Sequence, residues 1–442
     1  MSKPVVAVVG RPNVGKSTLF NVLAGSRISI IEDTPGVTRD RIYADVEWLG
    51  RPFTLVDTGG IEPESSDIIL SQMRDQAQIA IDTADVIVFM TDLKQGLVDA
   101  DGKVADMLRR SHKPVVLAVN KVDSYTRDLA DVYEFYNLGI GDPIAISSVN
   151  RTGIGDLLDE VVKYFPEADE NDGEDTRPRI AIVGKPNVGK SSLINHLLGE
   201  NRLIVSDIAG TTRDAVDTAV TFEGKEYVFT DTAGLRRKNK IKEDLERFSI
   251  IRAVSAVERS DVVVVVIDAV EGITEQDAKI TGIAHERGKG LIIAVNKWDA
   301  IEKDDKTIYE FQRKIDQVLN FASYAQTVFI SAKTGLRVSR LFEQIDTVIQ
   351  NQNLRVGTGV LNEIMSEAVA MQQPPTDKGK RLKLFYITQV AVKPPTFVIF
   401  VNDRQLMHFS YTRYLENRIR DTFGFKGTAL KFIIRERKEG QS

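Results

Sequence analysis

The stretch GRPNVGKSTLFNVLA, Gly10–Ala24, returns as GKPNVGKSSLINHLL at Gly184–Leu198, 174 residues further on. Thr38 and Thr212, Asp40 and Asp214, and Asp57 and Asp231 keep the same offset. Unrelated matches do not hold register over such a span, so the chain carries one phosphate-binding domain twice. Two copies are too few for a solenoid and read as separate globular domains. Each string follows an apolar strand and opens a helix, the setting that G-x-x-x-x-G-K-S needs. There the glycines let backbone N–H groups converge on phosphate oxygens, and the helix N-terminus adds favourable partial charge. The expected cradle is Gly10, Arg11, Pro12, Asn13, Val14, Gly15, Lys16, Ser17 and Thr18 in the first copy. In the second it is Gly184, Lys185, Pro186, Asn187, Val188, Gly189, Lys190, Ser191 and Ser192. Lys16 and Lys190 are expected to reach the β- and γ-phosphates, and the Ser17 and Ser191 hydroxyls to ligate magnesium.

Strands and helices alternate around both loops. Pro4–Val9, Asp85–Asp92, Pro114–Lys121 and Pro143–Ser148 are Val/Ile-rich runs of the kind found in buried parallel strands. Ala44–Leu49 and Phe53–Asp57, joined by Gly50-Arg51-Pro52, read as a hairpin. The second copy repeats the plan with Arg179–Val183, Thr218–Phe222, Tyr227–Asp231, Asp261–Asp268, Leu291–Lys297 and Thr327–Ala332. The pattern predicts α/β domains with a mostly parallel sheet flanked by helices, and ligands at the carboxyl ends of the strands.

Between the copies, Glu167–Asp175 holds six acidic residues in nine and cannot bury itself, so it reads as a self-repelling linker. After Gln350 the pattern changes: Val360–Met371 and Tyr411–Phe423 read as helices, and Lys383–Val392, Thr396–Asn402 and Leu430–Arg435 as strands. The expected division is a first domain over 1–166, an acidic linker over 167–177, a second domain over 178–350 and a small α+β domain over 351–442. A length of 442 residues fits about three domains at roughly 150 residues each.

The base is named by Asn120-Lys121-Val122-Asp123 and Asn296-Lys297-Trp298-Asp299, each ending an apolar strand. A carboxylate offers two acceptors to the N1–H and N2–H₂ donors of guanine. Adenine presents an acceptor and a donor there, which would leave a carboxylate oxygen unpaired, so the choice is sharp. Ser147-Ser148 and Ser331-Ala332 are expected to offer backbone N–H groups to guanine O6. Asp57-Thr58-Gly59-Gly60 and Asp231-Thr232-Ala233-Gly234 end the hairpin strands. Asp57 and Asp231 are expected to hold magnesium through water, and the Gly60 and Gly234 N–H groups to meet the γ-phosphate. Thr38 and Thr212 add a hydroxyl to the metal only when that phosphate is present, so both loops are ordered by GTP and released on hydrolysis. Together these motifs make the two copies G domains.

Composition narrows the remaining classes. No cysteine occurs, which excludes disulfides, thiolate catalysis and Cys-zinc sites. The four histidines, His112, His196, His285 and His408, lie too far apart in sequence to form a local ligand pair. MSKPVVAVVG enters a strand after four residues, which argues against a signal peptide, and no window nears roughly 18 apolar residues. A cytoplasmic monomer is expected. Net charge is −5, yet Leu354–Ser442 carries fifteen Lys/Arg against eight Asp/Glu, leaving −12 on the rest. Either this is an ordinary solvated surface or the last domain meets a polyanion, most simply nucleic acid.

The whole chain resembles the Der (EngA) family of bacterial tandem-G-domain GTPases. The resemblance rests on both phosphate loops, Val37-Thr38-Arg39-Asp40 and Thr211-Thr212-Arg213-Asp214, both D-T-x-G and N-K-x-D motifs, and Tyr414-Leu415-Glu416-Asn417-Arg418. It implies GTP hydrolysis in the cytoplasm, a KH-like third domain, and a part in maturing the large ribosomal subunit through its rRNA. Where Ras-like enzymes place a water-orienting Gln, this chain has Ile61 and Leu235, so hydrolysis is expected to be slow. Asn13 and Asn187 resemble the asparagine with which related GTPases hold potassium; the alternative is that each bonds its own loop. The loops after D-T-x-G diverge: Glu62, Glu64 and Asp67 are acidic, whereas Arg236, Arg237, Lys238, Lys240 and Lys242 are basic. Docking of the acidic loop on the third domain, and of the basic loop on rRNA, is the functional expectation against two solvated surfaces. Gly424-Phe425-Lys426-Gly427 spells the KH G-x-x-G but precedes a strand, so it reads as a helix cap and turn; Lys378, Lys380, Arg381 and Lys383 are the better RNA candidates. Two intact loops also leave open a chain in which one site turns over and the other is a platform. Single-turnover assays of Lys16→Ala and Lys190→Ala separate the two readings.

Overall fold

Runs of β-branched residues with no charged side chain form strands buried on both faces. Val262–Asp268 is the extreme case, six β-branched residues followed by Asp268, all seven buried. The structure, a computed structural model, describes residues 3–25, 43–58, 66–165, 177–199, 204–207, 217–230, 245–377 and 379–437. These fall into two compact units. The first holds the described residues up to 165 together with helix Leu245–Glu258; the second holds the remainder.

In the first unit β1 (Val5–Gly10), β2 (Tyr43–Trp48), β3 (Arg51–Asp57), β4 (Val86–Asp92), β5 (Val115–Asn120) and β6 (Ile144–Ala145) form one sheet. Its order is β2-β3-β1-β4-β5-β6. Only β2 runs antiparallel, paired with β3 as the expected hairpin. One face is covered by a core around Leu19, Phe53, Leu157 and Phe165, the other by Met73, Phe89, Leu108 and Phe135. Helix Leu245–Glu258, which follows the second D-T-x-G in sequence, packs along Ser66–Thr83 here. Ser255 Oγ donates to the Thr83 carbonyl at 2.8 Å, and buried Thr54 donates to Glu258 at 2.9 Å.

The second unit repeats the sheet with β7 (Arg179–Val183), β8 (Ile204–Asp207), β9 (Thr218–Phe222), β10 (Lys225–Thr230), β11 (Val262–Asp268), β12 (Gly290–Asn296) and β13 (Gln326–Phe329). The order is β13-β12-β11-β7-β10-β9-β8. β8 was not anticipated; it extends the sheet by pairing antiparallel with β9. The last strand of each copy is shorter than its apolar run predicts. Beyond Ala145 and Phe329 the chain leaves the ladder because Ser147 and Ser331 pair across a local bridge with Thr152 and Leu336.

The C-terminal segment adds a hairpin of β14 (Thr376–Asp377) and β15 (Lys380–Arg381) and a sheet of β16 (Leu384–Ala391), β17 (Thr396–Val401) and β18 (Lys431–Glu436). Helices Thr358–Met371 and Phe409–Phe423 cover that sheet around Leu361, Phe397, Leu415 and Phe425. Both β1 and β7 are central strands, so each phosphate loop opens at the carboxyl end of its sheet, where the strand order reverses.

Candidate nucleotide-binding sites

Each phosphate loop is held in a conformation that only its own residues permit. Gly15 and Gly189 have φ of 101° and 99°. A Cβ on either would collide with the side-chain amide of Asn120 or Asn296. Asn13 and Asn187 sit at φ 64° and 63°, left-handed values that asparagine tolerates better than most residues. Their side chains make no hydrogen bond among the described residues, so bonding to the loop itself, one of the two expectations for them, is not seen. Lys16 Nζ donates to the Gly10 and Arg11 carbonyls at 2.6 Å each; Lys190 donates to the Gly184 and Lys185 carbonyls at 2.8 and 2.5 Å. Both ammonium groups are thereby fixed at the mouth of the loop, where a phosphate would sit.

Arg11 and Lys185 play a different part from the one their place in the cradle suggests. Arg11 is buried and turned inward: Nε donates to Asp101 at 2.8 Å and Nη1 to Gln95 at 2.6 Å. Lys185 lies 3.6 Å from Asp277 and 2.8 Å from Glu271. Asp101 and Asp277 are both fully buried, and burial pushes both carboxyls above the usual range. Only the backbone of Arg11 and Lys185 is left to face phosphate.

The base-reading corner is likewise built twice. Asn120 Nδ2 donates to the Val14 carbonyl at 2.7 Å and Asn296 Nδ2 to the Val188 carbonyl at 2.8 Å, tying each N-K-x-D turn to its phosphate loop. Lys121 and Lys297 adopt φ of 68° and 60° and reach Asp92 and Asp268 at 2.6 and 2.5 Å. Val122 and Trp298 are buried beneath the turns. In the first copy Asp123 accepts from Lys94, Ser147 and Asn150, and the Lys94 bond leads in holding its carboxyl below the usual range. Asp299 is lowered chiefly by Ser331.

One expectation needs correcting. The Ser148 and Ala332 N–H groups donate to Asn120 and Asn296 Oδ1 at 2.9 and 2.8 Å, and those of Ser147 and Ser331 to Thr152 and Leu336 carbonyls. All four are therefore occupied within the protein. The next N–H groups along, of Val149 and Lys333, have no hydrogen bond among the described residues and are the donors open to a base.

Ser17 Oγ lies 3.2 Å from Asp57 Oδ2, so a hydroxyl and a nearly buried carboxylate meet beside the phosphate loop. Two hard oxygen donors, too few to enclose a cation, suit magnesium, which keeps waters and phosphate oxygens in its shell. Thr58 Oγ1 donates to the Val8 carbonyl and locks the end of β3 against β1. In the first copy a cavity of about 840 Å³ joins the phosphate loop to the base-reading corner, its lining including Pro12, Asn13, Gly15, Lys16, Ser17, Thr18, Lys94, Asn120, Lys121, Asp123, Ser147 and Val149. Thr38, Gly59, Gly60, Ile61, Glu62, Glu64, Thr212, Asp231, Thr232, Ala233, Gly234, Leu235, the basic run Arg236–Lys242, the acidic linker and Lys378 lie outside the described residues.

The sequence reading passed over Asp92 and Asp268, and Asp101 and Asp277. The signal was present: past the hairpin the offset becomes 176 residues, and both pairs keep it along with Asn120 and Asn296.

A family described as "50S ribosome-binding GTPase" matches residues 5–121 and 179–297. One described as the KH-domain-like, C-terminal domain of EngA bacterial GTPase enzymes matches 355–435. The GTPase Der of Agathobacter rectalis is 76% identical over 441 residues, covering 100% of both chains. That of Lachnospira eligens is 72% identical, covering 99% of this chain and 100% of its own. Among solved structures, Aquifex aeolicus Era bound to GDP and AlF4⁻ aligns at 24% identity and TM-score 0.30, over 59% of this chain and 94% of its own.

Proposed function

The chain belongs to the GTPase Der family and hydrolyses GTP, and from that premise we propose that its two nucleotide sites form a switch timing the binding and release of a maturing large ribosomal subunit. The carrying observation is the pairwise match of the two sites: the same left-handed residues, the same Lys-to-carbonyl bonds and the same Asn bridge from base to phosphate. A ribosomal partner agrees with the family description and with the excess of basic residues in Leu354–Ser442, where Lys380, Arg381 and Lys383 stand exposed. Among the described residues no helix is long and apolar enough to cross a membrane; we place the protein in the cytoplasm, acting as a monomer.

In this reading Lys16 and Lys190 stabilise charge on the transferred phosphoryl group, helped by the Gly60 and Gly234 N–H groups. Ser17 with Asp57, and by register Ser191 with Asp231, would hold magnesium, with Thr38 and Thr212 joining them in the GTP state. The ion, when bound, neutralises charge on the β- and γ-phosphate oxygens. Asp123 and Asp299 read guanine N1 and N2, and the Val149 and Lys333 N–H groups take O6. Ile61 and Leu235 cannot orient water, which keeps intrinsic turnover slow. We assign to Asn13 and Asn187, whose side chains make no hydrogen bond among the described residues, the holding of a potassium ion as a further positive charge. Turnover should then be faster in potassium than in sodium, and equal rates would remove the cation from the scheme.

Sedimentation with large ribosomal subunits in GDP and in a non-hydrolysable GTP analogue, across a salt series, tests the switch. A steep salt slope present in one nucleotide state and absent in the other is expected. Identical binding in both states would overturn it.

A further inference from the structure

The two base-reading corners differ at one side chain. Asp92 Oδ1 accepts from the Lys94 N–H at 2.9 Å, and Asp268 Oδ1 accepts from the Val270 N–H at 2.9 Å, so these positions are structural equivalents. Lys94 extends into the cavity and puts Nζ 2.5 Å from Asp123 Oδ2. The other oxygen, Oδ1, takes Ser147 Oγ at 3.2 Å and Asn150 Nδ2 at 3.3 Å. Both carboxylate oxygens meant for guanine are thus engaged in the first copy. Val270 is 63% exposed and has nothing to offer Asp299, which forms no ion pair among the described residues. Lys333, which stands where the first copy has Val149, and Lys303 act on Asp299 by charge alone, without forming an ion pair with it among the described residues.

We propose that Lys94 competes with guanine for Asp123 and makes the first site the weaker and more salt-sensitive of the two for guanine nucleotides. This rests on the guanine-site reading above. The N1–H and N2–H₂ donors must displace an ammonium before they reach Oδ2, whereas at Asp299 they displace none. The pair is exposed, with 61% and 41% of the side-chain surfaces open, so its strength is that of a surface ion pair and is screened by salt. The advantage to the second site is therefore about threefold to fivefold at low salt and shrinks as salt rises.

The test is a reciprocal exchange in the full-length chain. With the second site closed by Lys190→Ala, Lys94→Val is expected to lower the Kd for GDP about threefold to fivefold at 50 mM KCl, with the gain fading by 500 mM. With the first site closed by Lys16→Ala, Val270→Lys is expected to weaken GDP binding by a similar factor. An unchanged Kd in Lys94→Val, or weaker binding, would overturn the proposal, the latter by showing that Lys94 holds the nucleotide. If neither site bound GDP in the parent chain, the guanine reading would fail instead, and the two failures are told apart by that control.

Discussion

Asp101 has no exposed surface, yet among the described residues its only side-chain partner is the guanidinium of Arg11 at 2.8 Å, and its second oxygen has none. Asp277 stands 3.6 Å from Lys185, but its Oδ2 also caps a helix by accepting from the Thr274 N–H and Oγ1, and only Oδ1 lacks a partner among the described residues. A carboxylate is kept so deep because the cation above it fixes the first turn of the phosphate loop, whose carbonyls in turn hold Lys16 or Lys190. Removing Asp101 leaves a nearly buried guanidinium without its main counter-charge, which costs about 3 kcal/mol. Asp101→Ala should therefore lower the unfolding temperature of the first unit and weaken GDP binding at the first site, with binding at the second site unchanged. Equal weakening at both sites, read by nucleotide titration, would show that the effect is not local. Little of this was legible beforehand. Arg11 and Lys185 stand inside a phosphate motif, so their inward rotamers are visible only once a residue ninety positions away is in place.

At the scale of elements, the turn after helix Phe409–Phe423 is the most informative. Gly424 has φ 88° and its N–H returns to the Arg420 carbonyl, the helix cap expected from its sequence context. What the sequence did not reveal is the use of the next residues. Gly427 accepts from the Leu291 N–H on β12 at 2.7 Å and donates to the Tyr324 carbonyl at 2.8 Å. A Cβ on Gly427 would strike Val348. Arg420 completes this seam, stacking 4.6 Å over Tyr324 while bonding Glu416 and the Phe425 and Thr428 carbonyls. His285 shares it, with Nδ1 3.0 Å from the Tyr324 hydroxyl and its ring edge-on to Phe321. Burial, with Arg420 nearby, lowers the His285 pKa to about 4. Between that value and the ordinary 6.5 the folded chain binds fewer protons than the unfolded one, so stability is complete above pH 6.5 and falls on acidification. At pH 5 the loss is about 2 kcal/mol. Thermal unfolding at pH 7 and pH 5 should show it, and His285→Gln should abolish most of the difference.

For the whole molecule, two units with separate cores make these effects separable. Asp101→Ala belongs to the first and His285 to the second, so calorimetry should register each on its own transition; one merged transition shifted by both would contradict that independence. The tandem G domains, the mostly parallel sheets and the α+β ending were legible in the sequence, as were the positive-φ turns of both phosphate loops. Each of those depends on residue types at fixed spacing within a local segment: glycines where backbone must approach phosphate, β-branched runs where a strand is covered on both faces, an aspartate one turn beyond a strand. Long-range partners left no such local trace. The tertiary structure alone joined Leu245–Glu258 to the first unit, set Gly427 against Leu291, and put Lys94 on Asp123. Those pairings are selected by shape and charge across the folded chain, where buried groups must find counter-charges and hydrogen-bond partners far away in sequence.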